Sequence, residues 1–198
     1  GASDVPVAQP IEVAFDLGNV SDPRKAGVYH WNESSRQWEY AGGKYNPADG
    51  TLVFQAEHFS AYAGLVYQKS FADVAEGFWA RDDIEVLAAK HLIQGVDGLH
   101  FAPQRSVSRA EFARMASGLL GLPEASASEG AGRFRDVPAN AAYAGVVAAV
   151  ARAGIMQGDG TSFRPNDKMT RQEIAAVAMH VYQTLGLSVS GASEPSAA

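Results

Sequence analysis

Cysteine is absent from all 198 residues, so neither a disulfide framework nor a thiolate metal site is available. No apolar run approaches the roughly 20 residues that a membrane-spanning helix needs. Basic charge is scarce. The 16 Lys and Arg stand against 22 Asp and Glu, a formal net charge of −6, which argues against a general nucleic-acid binder, whose contacts require a basic face. The opening Gly1-Ala2-Ser3-Asp4 lacks a charged region followed by an apolar one, so no signal peptide is expected. His91, His100 and His180 have no regular ligand spacing, and the stretch from Asp159 to Glu173 lacks the acid pattern of a calcium loop. No metal or cofactor is therefore expected. Nor does a convincing pair of carboxylates for glycoside hydrolysis stand out, and the chain does not read as an enzyme. What remains is an ordinary soluble composition, 46% hydrophobic and 19% charged, long enough for one large domain or a few small ones.

The feature around which the chain is organised is a four-residue box that occurs twice, Ser108-Arg109-Ala110-Glu111 and Thr170-Arg171-Gln172-Glu173. Each precedes an apolar-periodic run. Ser or Thr followed three residues later by Glu is a capping box, which marks a helix start and assigns Ser108, Glu111, Thr170 and Glu173 to helix capping. The box does not explain the Arg. At the first helical position a cation opposes the helix dipole, whereas free N–H groups there attract anions. Arg109 and Arg171 therefore read as a pair of anion-reading sites for a carboxylate or phosphate. On that reading, alanine at either position weakens binding and leaves the fold intact.

Residues 1–69 read as β structure. Ile11 to Leu17 alternates with period two, Val28–Trp31 and Gln37–Tyr40 flank a polar turn as a hairpin, Asp49-Gly50 announces a strand at Thr51–Gln55, and Tyr62–Tyr67 reads as the last strand. Trp31, Trp38, Tyr40 and Phe54 are either a sugar-binding platform or, as the simpler account, the core of a small sheet. His58-Phe59-Ser60 is similar to the cleavage tripeptide of self-cleaving β-domains of the ZU5 and GAIN type. The plainer reading is a strand-entry corner with a buried Phe and a turn-capping Ser.

From Phe71 the pattern becomes helical and repeats. Phe71-Ala72-Asp73-Val74 returns as Phe134-Arg135-Asp136-Val137, and Gln94-Gly95 returns as Gln157-Gly158, both 63 residues on. Phe101-Ala102-Pro103 returns as Phe163-Arg164-Pro165 and the boxes recur, both 62 on, and Leu120-Gly121-Leu122 returns as Leu185-Gly186-Leu187, 65 on. Each repeat reads as helix, loop, helix. Trp79, Ile84, Leu87, Ala88 and Leu92 share a face of one first helix, and Tyr143, Val146, Val147, Val150 and Ala151 share a face of the other. Gly95 and Gly158 would end these helices as left-handed caps. The expected fold class is thus α+β in sequence-separate parts: a small antiparallel β module at 1–69, repeats at 70–123 and 133–187 packed as a helical bundle, a linker at 124–132 and a flexible tail at 188–198.

These landmarks resemble the S-layer homology family, whose pattern runs Phe-x-Asp-Val, an aromatic-led helix, a Gly-containing loop, Phe-x-Pro, Thr-Arg-Ala-Glu and a helix ending Leu-Gly-Leu. The β module resembles one found upstream of such repeats in surface proteins of Gram-positive bacteria. The resemblance implies a non-catalytic module at the cell surface, cell wall or S-layer that anchors an exported protein non-covalently. Its implied partner is a secondary cell-wall polysaccharide carrying a pyruvate ketal, held in grooves between repeats, with no nucleic acid and no membrane span. Such repeats usually act in threes. Here a third repeat, the β module or another chain would complete the bundle. The candidate ligand contacts are Arg109 and Arg171, the loop residues Gly95, Gly158, Asp97 and Asp159, and the aromatic residues Trp79 and Tyr143. Asp97 and Asp159 read equally as turn formers, and Trp79 and Tyr143 as core. The alternatives are a protein-assembly module of a surface layer, or a non-catalytic or autoproteolytic fragment of a larger extracellular glycoside hydrolase.

Overall fold

The structure, a computed structural model, describes residues 5–33, 36–125 and 133–187; the expected linker from 126 onward and the tail lie outside them. Six strands come first: β1 (Val5–Asp16), β2 (Ala26–Asn32), β3 (Gln37–Gly42), β4 (Lys44–Asn46), β5 (Thr51–Phe59) and β6 (Tyr62–Val66). Four helices follow among the described residues: α1 (Arg81–Ala89), α2 (Arg109–Leu119), α3 (Ala144–Arg152) and α4 (Arg171–Thr184). The class is α+β, with the β part first.

The strands form two three-stranded antiparallel sheets, ordered β1-β5-β4 and β3-β2-β6. Period-two alternation sets their register: Val13 faces Phe54 and Phe15 faces Leu52 in one, and Trp31 faces Trp38 in the other. The buried apolar and aromatic side chains of the described strands are Ala26, Val28, Tyr29, Leu52 and Ala56. Trp31, Tyr40 and Phe54 are only half-buried and Trp38 is exposed. The sheet core is therefore not the aromatic set expected from sequence. One different aromatic, Tyr29, fills it together with aliphatic residues. Phe59 is also not buried, at 63% exposure; it ends β5, beyond the core. His58 beside it has its carbonyl oxygen bonded by the Tyr62 hydroxyl at 3.1 Å.

The chain divides into two compact units, residues 1–103 and 104–198. The division falls inside the first sequence repeat. In the first unit α1 joins Phe71, Val74, Ile84 and Ala88 into a small cluster. The helix is tied to the β module by a buried ion pair between Lys25 Nζ and Glu85 Oε2 at 2.6 Å, and by the Tyr29 hydroxyl donating to the Ala89 carbonyl. Arg81 Nε adds a second donor to Glu85 at 2.8 Å. Burial pushes the Tyr29 phenol upward, so it stays a neutral donor.

In the second unit α3 is the centre. It is buried on nearly every side, and Val146, Val147 and Val150 pack with Phe134, Ile155, Met156 and Phe163. Ala113 and Ala116 of α2 belong to the same cluster, so the second half of repeat 1 folds onto repeat 2. Full burial of side chains of this size is worth about 1.5–3 kcal/mol each. By contrast α4 buries only Val177 and Val181, and leaves Ile174 and Met179 exposed.

Two boundaries differ from expectation. The first helix begins at Arg81, so Trp79 precedes it and is 87% exposed instead of lying in the core. Tyr143 occupies the N-cap of α3, half-buried against the core. Helices α1 and α3 end at Ala89 and Arg152, and the left-handed residues that follow are His91 (φ 55°) and Gly154 (φ 74°). These two positions are themselves 63 apart. Gly95 and Gly158 are not left-handed caps. They are glycines for lack of space: a Cβ would stand 2.4 Å from the His100 carbonyl oxygen in the first and 2.2 Å from the Ser162 carbonyl oxygen in the second, with the Phe71 and Phe134 rings each at 2.7 Å.

Candidate functional site

Both boxes cap their helices in the same way. Ser108 Oγ accepts from the Glu111 N–H at 3.3 Å while Glu111 Oε2 accepts from the Ser108 N–H at 2.8 Å. Thr170 Oγ1 accepts from the Glu173 N–H at 3.3 Å, and Glu173 Oε2 accepts from the Thr170 N–H at 2.9 Å. These contacts depress both carboxyls. For Glu111, burial pushes upward but Arg105 and the Ser108 N–H outweigh it. For Glu173 the Thr170 N–H dominates.

The two arginines then part. The Arg109 side chain is 5% exposed. Its Nε donates to the Phe163 carbonyl at 2.8 Å, Nη2 to the Gln157 carbonyl at 2.9 Å and Nη1 to Glu173 Oε1 at 2.8 Å, while the guanidinium lies 5.0 Å over the Phe163 ring. The first free amides of α2 are taken too: Arg109 N–H reaches the Asp167 carbonyl and Ala110 N–H the Pro165 carbonyl, both at 2.9 Å. The expectation of a free guanidinium at Arg109 is thus corrected. Repeat 2 supplies three oxygen acceptors to it, and Nη1 also lies 3.9 Å from Met169 Sδ, so four of its five N–H groups are engaged and no donor pair is left for a ligand.

At α4 the same places have no protein partner among the described residues. Arg171 and Gln172 are exposed, and among the described residues neither their N–H groups nor the Arg171 guanidinium meets an acceptor. Arg164 and Lys168 are exposed on the preceding loop, and Arg164 Nη2 lies 3.6 Å from Glu173 Oε1. Residues 104–198 carry nine Lys and Arg against eight Asp and Glu, a formal +1, whereas residues 1–103 carry seven against fourteen, a formal −7. An anion meets less repulsion at the second unit.

The loop acids serve the loops. Asp97 Oδ1 accepts from the Leu99 and His100 N–H groups, each at 2.7 Å, and His100 Nδ1 lies 3.0 Å from Oδ2. The Leu99 amide and the His100 ring hold Asp97 at about 2. Asp159 Oδ1 accepts from Thr161 N–H at 3.0 Å and Ser162 N–H at 2.8 Å. Two further acids do more than cap. Asp73 accepts from Phe101 N–H (2.8 Å) and Ala102 N–H (2.7 Å), and Asp136 from Phe163 N–H (2.9 Å) and Arg164 N–H (2.8 Å). Each clamps the start of a repeat to its Phe-x-Pro segment and holds Ala102 or Arg164 at a left-handed φ near 58° and 59°. In the sequence these acids stand out only as members of the recurring Phe-x-Asp-Val. The signal for the clamp was the joint recurrence of Phe-x-Asp-Val and Phe-x-Pro.

Comparison with known proteins agrees with this geometry. Residues 70–113 and 133–175 match the S-layer homology domain. An amylopullulanase of Thermoanaerobacterium thermosulfurigenes is 42% identical over 93% of this chain and 10% of its own length. An exoglucanase, XynX, of Acetivibrio thermocellus is 33% identical over 87% of the chain and 15% of its own. The S-layer protein sap of Bacillus anthracis is 32% identical over 58% of the chain and 14% of its own. The chain thus spans about a tenth to a seventh of the length of these relatives. S-layer homology domains anchor proteins to the cell wall, and the relatives point to the cell surface. The chain carries two tandem S-layer homology domains, at residues 70–113 and 133–175.

Proposed function

We propose that the chain anchors a larger exported protein to the cell wall by binding an acidic secondary cell-wall polysaccharide, with the carboxylate of a pyruvate ketal read at the N-terminus of α4. The observation that carries this is the open helix end: two amides and the exposed guanidinium of Arg171, beside Arg164 and Lys168, with the Thr170–Glu173 box already satisfied. A carboxylate there gains charge-assisted hydrogen bonds and the helix dipole together. Gly95, Gly158, Asp97 and Asp159 shape the loops, and Trp79 and Tyr143 remain candidates for stacking on sugar rings. The test is co-sedimentation with peptidoglycan-attached polymer before and after its acid groups are removed. Arg171→Ala should weaken binding by about 1.5–3 kcal/mol, and removal of the acids should do the same to the wild type. Equal binding to acid-free polymer would count against carboxylate recognition.

A second reading has its own observation. The end of α2 is filled by the loop of the repeat that follows it, through Phe163, Gln157 and Glu173. By equivalence the end of α4 would receive a third repeat or another chain, covering Ile174 and Met179 and completing a bundle. In a chain extended by a third repeat, this reading predicts that Arg171→Ala lowers the melting temperature; glycan reading alone predicts no change. As for the cargo, the two enzyme relatives match more of the chain than the S-layer protein does, which favours an extracellular glycoside hydrolase.

A further inference from the structure

One cleft lies away from both boxes, wholly within residues 1–103. It measures about 620 Å³, inside the span of roughly 300–1,000 Å³ common to small-ligand clefts. One wall is the β2–β3 hairpin. Trp31 and Trp38 are cross-strand partners with ring centroids 5.5 Å apart at 65°. The other is the loop after α1, with Gln94 and Gly95. Tyr67 adds a third ring, and Arg36 and Gln37 stand beside the Trp pair.

A Trp pair on a hairpin is ordinarily explained by strand stabilisation. That account predicts rings covered by the sheet's own neighbours. Here Trp38 keeps 38% of its surface exposed and Tyr67 likewise 38%, and both face a concavity instead of open solvent. Two other polar groups of the lining are already engaged. Asp97 is held by its own loop, and Lys69 Nζ donates to the Gly98 carbonyl at 2.7 Å. The exposed groups left over are two neutral amides and one guanidinium, Gln37, Gln94 and Arg36; the half-buried His91 ring also lines the cleft, and burial disfavours its charged form. Exposed aromatic faces with hydrogen-bonding groups at their edge suit a pyranose, whose C–H face stacks while its hydroxyls bond at the rim. The formal −7 of residues 1–103 disfavours an acidic ligand.

The geometry points to a second saccharide subsite at Trp31, Trp38 and Tyr67 that takes a short neutral oligosaccharide segment, separate from the anion end of α4. It extends the polysaccharide reading but does not depend on Arg171. The sugars come either from the wall polymer or from a free polysaccharide, and the probes separate these sources. The full chain is titrated by calorimetry and tryptophan fluorescence with acid-stripped wall polysaccharide, xylohexaose and maltohexaose. At least one probe should bind. Trp38→Ala should lower that affinity at least tenfold. Arg36→Asn, which keeps a residue tolerant of its left-handed φ of 55°, should lower it severalfold, and Arg171→Ala should leave it unchanged. Binding only of the stripped polymer assigns the site to the wall; binding of a free hexasaccharide assigns it to a polysaccharide outside the wall. No binding of any probe overturns the proposal, as does binding that survives Trp38→Ala or Arg36→Asn intact. Retained neutral binding with lost acidic binding in Arg171→Ala shows that the two sites fail independently.

Discussion

Arg109 and Arg171 hold the same place in two boxes 62 residues apart, in helices capped by the same pair of hydrogen bonds, and they have opposite surroundings. Arg109 is buried because the loop of the following repeat brings two carbonyls and Glu173 to it. Arg171 is exposed, with no equivalent loop on it among the described residues. The glutamates differ in the same sense. Glu173 gives its second oxygen to Arg109 from the preceding repeat, whereas Glu111 gives its own to nearby Arg105. The comparison teaches that the same kind of box has its arginine enclosed where a following repeat packs on it and exposed where, among the described residues, nothing does.

The sharpest way to break this comparison is Arg109→Ala. It strands the Phe163 and Gln157 carbonyls and the Glu173 carboxylate, so a loss of about 3 kcal/mol is expected, read from the denaturation midpoint. A loss under 1 kcal/mol would mean that Arg109 is not the clasp described. The first unit has its own buried pair, and Lys25→Met should cost about 2 kcal/mol. That is less than at Arg109, because Arg81 still pairs with Glu85.

The loops offer a comparison by pH. Asp97, Asp73, Asp136 and Asp159 all have carboxyls held below the ordinary value, the first at about 2 against 3.8. Amides of the loops hold them there: for Asp73 that of Phe101, for Asp159 that of Thr161, and for Asp136 those of Phe163 and Arg164 against burial. Groups depressed in the folded state contribute stability that is full above their unfolded values and lost as pH falls through the folded ones. Thermal melts should therefore be flat in this respect above pH 5 and fall on acidification from about 4 to about 2. Only the first loop adds a second step. His100, bonded to Asp97, is raised, so its contribution is present below 6.5 and lost as pH rises through its folded value. His100→Ser, the residue at the matching place in repeat 2, should abolish that upper step and leave the acid one.

The smallest effect on stability is expected from Arg171→Ala, within about 0.5 kcal/mol, since none of the described residues bonds to its side chain. The paired outcome with Arg109→Ala decides the comparison: equal melting shifts for the two variants would refute it.

Much of the architecture was legible before any coordinates. Alternation gave the hairpin and the strand at Thr51, and recurrence gave both repeats and both helix starts, because capping boxes are local and their chemistry lies within four residues. The short strand at Lys44–Asn46 was missed, being too brief to show a period. Trp79 was misjudged because helical periodicity was extended two residues past the true start. Gly95 and Gly158 resemble caps in sequence since glycine signals permissive φ, while here it makes room for a loop carbonyl and a phenyl ring.

The amino-acid order by itself determined where the two boxed helices begin, how often the pattern recurs and which acids sit at the loops. Those are matters of neighbours along the chain. It did not determine that the first repeat is divided between two compact units, that Asp73 and Asp136 clamp segments 28 residues away, or which of two identical arginines is enclosed. Those depend on what packs against a residue from elsewhere, and a short motif carries no record of the surface that will cover it.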